Sequence, residues 1–286
     1  MKKQLQLIAI QLLTALLLTG FMSANSFTSA AAHAAKASEL SAAAEMWQQQ
    51  LAKQQGFEHW EKATLSITAL GPGTHGWLVL VKNNNEVVGY MIIHAKEAGG
   101  YMLSEYGSGD AASLQFLADH VASFSYFGPF HSIVQAEKKT ITCFIEPFMQ
   151  EAFPITVQRI EQQQKLAEQA KAGHGTFKLP ALITGSYTLQ YFDPYETMPW
   201  LTREPLNKAF EDDTSVEMLL ELDSHLQYTA ESWDHAIFSV YSVTGFHEWN
   251  EVDLFLALQD SNESLIRYIA YDTLMEQGLF YSAMDF

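Results

Sequence analysis

Alternation of apolar and polar positions between residues 63 and 110 is the clearest folding signal in the chain. Leu65, Ile67 and Ala69 alternate with polar neighbours ahead of Gly71-Pro72-Gly73, which predicts a strand from Ala63 to Leu70. Trp77 to Val81 predicts a second strand, Lys82 to Glu86 its turn, and Val87 to Ala95 the return strand. Asn tolerates left-handed backbone angles, so the run Asn83-Asn84-Asn85 suits a hairpin loop. A turn at Ala98-Gly99-Gly100 leads to a strand over Tyr101 to Tyr106. Gly107-Ser108-Gly109 reads as its closing turn, and Asp110 as the cap of a helix through Leu114, Phe116, Leu117 and Val121.

The flanking segments follow the same logic. Helical spacing predicts a helix over Ser38 to Phe57 with Gly56 as terminator. Ser132 to Phe148 predicts a hairpin turning at Ala136 to Lys139, and Pro147 and Pro154 bracket a bend. The polar stretch from Gln158 to Ala172 predicts an exposed helix ended by Gly173-His174-Gly175. Tyr187 to Phe192 reads as a strand, followed by a loop carrying Pro194, Pro199-Trp200 and Pro205. Val216 to Leu226 predicts an acidic amphipathic helix with Met218, Leu219, Leu222 and Leu226 on one face. Strands are expected over Ala236 to Val243, Val252 to Gln259 and Leu265 to Tyr271, then a helix from Asp272 to Gln277 stopped by Gly278. The class predicted is α+β: antiparallel sheets with flanking helices.

Charge changes this picture by dividing the chain. Residues 38–186 carry 10 Lys and Arg against 14 Asp and Glu, a balance of −4, whereas residues 187–286 carry 3 against 19, a balance of −16. A surface that acidic repels phosphate backbones, which makes nucleic acid and anionic membrane surfaces poor candidates as partners. With the solvated helix before it, the shift predicts two small domains, 38–172 and 186–286, joined by a linker at 173–185. Residues 1–37 read as a secretory signal peptide: Met1-Lys2-Lys3 is basic, Leu5 to Phe21 is largely apolar, and Ala32-His33-Ala34 and Ala35-Lys36-Ala37 are cleavage motifs. The expected location is therefore outside the cell, with no membrane span in the mature chain. Cys143 is the only cysteine, so no intramolecular disulfide supports the fold; its place between Ile141 and Ile145 reads as a small buried strand residue.

Residues that could carry chemistry do not assemble into a known spacing. His225, His235 and His247 lie ten and twelve residues apart, unlike the short paired spacings of zinc sites. Glu211-Asp212-Asp213 lacks the alternating ligands and glycine of a calcium loop, and Gly107-Ser108-Gly109 lacks the fuller glycine fingerprint of an anion cradle. No metal, cofactor or catalytic residue is expected. The aromatic-rich last third, including Trp200, Trp233, Tyr241, Phe246, Trp249, Phe255, Tyr268 and Tyr271, has two readings. One is a groove for peptide or carbohydrate; the other is sheet packing, which strands favour by composition.

Two resemblances add expectations. Gly89-Tyr90-Met91-Ile92-Ile93, Gly99-Gly100-Tyr101 and the hairpin ending at Glu146-Pro147 make residues 65–157 resemble secreted bacterial propeptide-type domains of the PepSY kind. That resemblance implies a binding or inhibitory module without catalytic residues. Asp234-His235-Ala236-Ile237 followed by Val240, Val243 and Gly245 resembles one element of papain-like peptidases, with Asp260 or Asn262 in the orienting position. A thiolate–imidazole pair needs a nucleophile, and no cysteine lies between Tyr187 and Phe286. Ser186 and Ser215 are in no nucleophile elbow. The sequence therefore favours an exported protein that binds a protein or peptide, with a divergent hydrolase using His235 as the alternative.

Overall fold

The structure, a computed structural model, describes residues 36–71, 75–138, 141–148, 150–169, 181–212, 215–222 and 225–284. Its strands are β1 (Thr64–Ala69), β2 (Gly76–Asn83), β3 (Glu86–Ala95), β4 (Tyr101–Gly109), β5 (Phe124–Tyr126), β6 (Ser132–Lys138), β7 (Ile141–Glu146), β8 (Glu151–Phe153), β9 (Ile183–Thr188), β10 (Leu226–Ser232), β11 (Ile237–Trp249), β12 (Asp253–Gln259), β13 (Leu265–Ala270) and β14 (Gly278–Ser282). The helices are α1 (residues 36–51), α2 (Ala111–Asp119), α3 (Val157–Gln169), α4 (Asn207–Asp212), α5 (Val216–Glu221) and α6 (Tyr271–Gln277). The class is α+β, built on antiparallel sheets. The chain divides into two units, 1–43 and 44–286. Of the first unit only residues 36–43 are described, as the first turns of α1; the sheets and remaining helices belong to the second. The leader expected over residues 1–37 thus falls almost wholly outside the described residues. No described helix is long and apolar enough to cross a membrane.

Local chemistry explains the first meander. Asn84 and Asn85 have φ of +49° and +72°, so the β2–β3 hairpin closes through a two-residue turn whose left-handed backbone matches strand twist. Asp110 accepts hydrogen bonds from the backbone N–H groups of Ala112 and Ser113 at 2.8 and 3.0 Å, capping α2 as its sequence position predicts.

Strands from both sides of residues 173–185 share one sheet. Ten described strands form one sheet in the order β1-β2-β3-β4-β13-β12-β11-β10-β14, with β9 added beside the second half of β11. The joint between the halves is β4 with β13, where Gly107 faces Arg267 and Gly109 faces Leu265. Gly107-Ser108-Gly109 is therefore strand, not a turn or an anion cradle. A Cβ at Gly107 would meet the Tyr90 ring at 2.6 Å, and one at Gly109 would meet the Ser264 carbonyl oxygen at 2.3 Å. These glycines serve close approach of strands, a requirement that reads like a turn in sequence. Residues 173–180, the core of the expected linker, lie outside the described residues.

Two further differences follow from the second half. The helix expected over Val216 to Leu226 stops at Glu221, and Leu226 opens β10. Val216, Leu219 and Leu220 are its buried residues, while Met218 and Leu222 are exposed. The strand expected to end at Val243 instead continues to Trp249 as the 13-residue β11, with a bulge between Val243 and Gly245. Gly245 has φ of +155°, and a Cβ there would stand 2.2 Å from the Tyr187 carbonyl oxygen, so β9 can approach only a glycine.

Adjacent residues of one strand point to opposite faces, and Glu105 and Tyr106 show what each face of the sheet holds. On the Glu105 side, α2 and the four-stranded sheet β5-β6-β7-β8 close an apolar core with Leu78, Leu80, Tyr90, Ile92, Phe124 and Val134. Further along, α5, α6 and β14 contribute to a second core with Tyr228, Val243, Leu256 and Ile269. On the Tyr106 side, Tyr106 and Tyr268 stack at 5.0 Å and 5°, and Phe57 and Phe255 pack edgewise or tilted against Tyr106.

Candidate binding face and the residues the sequence singled out

The buried carboxylate of Glu105 is satisfied by its neighbours. Glu105 accepts hydrogen bonds from Tyr90 at 2.5 Å, Tyr126 at 2.8 Å and Arg267 Nε at 2.9 Å, and no part of it reaches solvent. Arg267 also donates to the Pro129 carbonyl and lies 4.1 Å from the centroid of the Phe148 ring. Burial, then the Glu105 charge, raises the Tyr90 and Tyr126 hydroxyls well above the ordinary phenol range. A carboxylate with donors from three side chains and no open approach is satisfied in place, with nothing left for a substrate.

The three histidines have separate surroundings. His247 is buried, within 2.9 Å of the Tyr106 hydroxyl through Nδ1, and burial lowers its pKa to about 3. His225 stacks on Phe192 at 4.6 Å. His235 is exposed in the β10–β11 turn, where its Nδ1 pairs with the Glu231 carboxylate. That contact, first through the hydrogen bond and then through charge, raises the imidazole pKa. Among the described residues no three His, Cys, Asp or Glu side chains form a group that could hold a metal ion. The side chains of Glu211 and Asp212 and all of Asp213 lie outside what is described.

In the arrangement that resembles a peptidase, Asp260 or Asn262 would orient His235. Asp260 instead accepts from the Asn262 backbone N–H at 3.1 Å and lines a small cavity with Arg267 and Tyr241. The partner of His235 is a carboxylate, and no hydroxyl or thiol pairs with it among the described residues. Cys143 stands in β7 opposite Ala136, half-buried rather than enclosed.

The aromatic residues sort into two groups. Trp233, Tyr241, Phe246, Trp249, Phe255 and Tyr268 are buried and pack the sheet. Trp200 is half-exposed and belongs to a different structure, a loop from Asp193 to Arg203 laid over the β14-β10-β11 end of the sheet. Two bonds tie that loop to the β10–β11 pair: Ser242 Oγ donates to the Phe192 carbonyl at 2.5 Å, and Gln227 Nε2 donates to Thr197 Oγ1 at 3.0 Å. Gln227 and Ser242 are opposite one another in the β10–β11 register, so both anchors come from one row.

This loop carries an exposed apolar cluster. Tyr195 and Trp200 meet edge to face at 5.7 Å, and Trp200 lies 6.5 Å from the Phe238 ring on β11. Leu201 is 68% exposed and Phe238 51%, with Met198 and Tyr195 also open to solvent. Leu279 is exposed on the same face, because Leu279 faces Thr229 and Phe238 faces Glu231, two residues along β10. Exposed aromatic and large apolar side chains gathered in one place mark interaction surfaces.

Both segments that shape the cluster hold strained backbone. Met198 has φ of +42°, and Trp233, Asp234 and His235 are successive left-handed residues with φ of +54°, +59° and +59°. Non-glycine residues in this region cost of order 1 kcal/mol or more each and persist where neighbours over-determine them. Here Trp233 is the anchor: its ring is buried and its backbone N–H donates to His131 Nε2 at 3.2 Å.

Acidic groups surround the cluster. Glu231 is beside Phe238 across the strand pair. Burial, then Glu204 and Glu231, raises the Tyr281 hydroxyl, and burial, then Glu151, Asp193 and Asp260, raises that of Tyr195. Of the three Lys and Arg residues in 187–286, Arg267 is paired with Glu105 inside the sheet and Arg203 donates to the Met284 carbonyl. Sequence reasoning found Trp200 and the acidity but not Tyr195, Met198, Leu201, Phe238 and Leu279. Tyr195, Met198 and Leu201 are apolar residues of a proline-bracketed loop, a signal visible only once the loop is placed on the sheet beside Phe238 of β11 and Leu279 of β14.

No family model matches the chain, and no curated protein or solved structure matches it either.

Proposed function

We propose that this is an exported, non-catalytic binding protein that docks a cationic protein or peptide segment on the face formed by the Asp193–Arg203 loop and the β10–β11 hairpin. The observation that carries this reading is the exposed cluster of Tyr195, Trp200, Leu201 and Phe238 set in an acidic surface. Rigid aromatic anchors supply contact area at low entropic cost, and surrounding carboxylates select and steer a basic partner. A segment carrying lysine or arginine beside an apolar side chain matches both features. Binding without turnover is also what the propeptide-type resemblance implies for the first half.

The test is capture from extracellular medium by the immobilised chain and by a Trp200→Ala/Phe238→Ala variant, both side chains being open enough to change without opening the core. The expected result is a basic protein retained by the native chain, released as salt rises, and not retained by the variant. The same proteins on both surfaces, or none on either, contradicts the reading.

A further inference from the structure

The large sheet has a bare edge. β1 is its terminal strand and pairs with β2 alone, from Thr64–Lys82 to Ala69–Trp77, without a register shift. Among the described elements no other runs alongside it. The Leu70 backbone N–H donates to the Gly76 carbonyl at 2.9 Å, which fixes the phase of the pairing. Bonded pairs alternate in an antiparallel ladder, so Thr64, Ser66 and Thr68 turn their main chains to β2, and Leu65, Ile67 and Ala69 turn theirs outward. Every residue of β1 is exposed or half-buried, and no hydrogen bond from a described residue reaches the outward groups.

Native sheets blunt such an edge with charge, proline or a bulge, and β1 contains none of these. Its side chains instead continue the sheet. Directly paired residues share a face, so Ile67 is the last member of a row formed by Tyr106, Met91 and Val79, all three withdrawn from water. Ile67 itself is half-buried, as is Leu65 opposite Val81. The row stops at a half-open apolar residue, which a further strand would cover.

Charge and symmetry select the occupant. Residues 187–286, with 3 Lys and Arg against 19 Asp and Glu, supply β10 to β14, and β10 and β14 lie at the far end of the sheet from β1. A second copy joined edge to edge at β1 therefore keeps the two acidic parts apart. Two-fold antiparallel pairing about Ile67 sets it against the same residue of the second copy, Leu65 against Ala69, and Ser66 against Thr68. Apolar meets apolar and hydroxyl meets hydroxyl in this register, with no charge in it. We infer that β1 is a self-association site: two copies of this chain pair their β1 edges into one continuous sheet and leave both acidic docking faces free. Six residues of main-chain pairing fall below the about 1,200 Å² that permanent interfaces bury, so the dimer is reversible and grows with concentration.

Sedimentation of the native chain over a concentration series up to about 0.5 mM, with Ile67→Lys and Ile67→Glu chains alongside, tests this. The native chain is expected to dimerise as concentration rises. Either variant alone sets like charges opposite one another at the two-fold centre and dimerises at least about fivefold more weakly; an equal mixture of the two recovers the association. Hydrogen exchange on the native chain gives a reading that needs no variant. In the dimer the amides of Leu65, Ile67 and Ala69 exchange more slowly than in the monomer, while those of Ser66 and Thr68, already bonded to β2, do not change. A chain that stays monomeric throughout the series overturns the proposal, even if some other extended segment then protects the edge. So does association that Ile67→Lys leaves unchanged, or a dimer in which the Leu65, Ile67 and Ala69 amides stay unprotected.

Discussion

Arg267 on β13 donates to Glu105 on β4 at 2.9 Å, joining residues 162 positions apart at the strand pair where the two halves of the sheet meet. Both side chains are withdrawn from water, and Tyr90 and Tyr126 complete the carboxylate's partners. A buried pair adds little net stability over an apolar replacement, but half of one is costly. Arg267→Met, which leaves Glu105 charged and unpaired, is expected to cost about 3–5 kcal/mol in denaturant unfolding. Adding Glu105→Gln should restore much of the loss. A neutral Arg267→Met single variant would contradict this account of the joint.

Buried imidazoles set an acid limit on the fold. Burial holds His94 at about 4 and His247 at about 3, against 6.5 when unfolded. The unfolded chain therefore takes up protons first as pH falls. Their contribution is fully present above about pH 6.5 and is lost progressively toward 4 and then 3, by up to about 1.4 kcal/mol per pH unit for each histidine. Unfolding midpoints between pH 7 and 4.5 should fall, and His247→Gln should flatten that slope. An unchanged slope would place the proton uptake elsewhere.

Close strand approach at the joint makes Gly109 sensitive to a single methyl group. An added Cβ would sit 2.3 Å from the Ser264 carbonyl oxygen and 2.9 Å from Leu265 Cα, both backbone atoms that cannot swing aside. Gly109→Ala is expected to destabilise by about 1–3 kcal/mol, as overpacking does. Gly99→Ala meets no atom within 4 Å but has φ of +89°, so its cost, about 1 kcal/mol, comes from the backbone alone. Thermal melts of the two variants distinguish these origins: a Gly109→Ala chain that melts with the native one removes the steric argument.

Local pattern made much of the fold legible, because alternation, asparagine turns and the Asp110 cap act over a few residues. The meander from β1 to β4, the β6–β7 hairpin, α3 and α6 all fall where the sequence places them, within a few residues. The β4–β13 pairing was not legible: Gly107 and Gly109 are needed by strands 160 residues away, and glycine reads locally as a turn. β10 was hidden because Leu226 continues the helical spacing begun at Val216, and only sheet register separates them. For the candidate face, acidity and Trp200 were visible in composition. The neighbours that make Trp200 part of a surface, Phe238 on β11 and Leu279 on β14, are brought to it by tertiary structure.

Docking on this face should respond to pH through His235. Its imidazole is exposed and paired with Glu231, which raises its pKa above 6.5. Protonated, it neutralises the carboxylate beside Phe238; deprotonated, it leaves that charge to a partner. Affinity for a cationic segment is therefore expected to rise as pH rises through the raised pKa of the imidazole, and His235→Gln should bind at all pH values as the native chain does at high pH. Affinity that falls with pH in both chains would reverse the sign and contradict the role given to Glu231.

On the proposed docking face, aromatic anchors and acidic charge are expected to act together. A short peptide of alternating lysine and leucine, titrated calorimetrically against the native chain and the Trp200→Ala/Phe238→Ala variant at low and high salt, separates the two contributions. Expected is binding that weakens with salt in the native chain and is at least about tenfold weaker in the variant at either salt concentration. Equal affinity of the two chains would show attraction by charge alone and would contradict the proposed docking face.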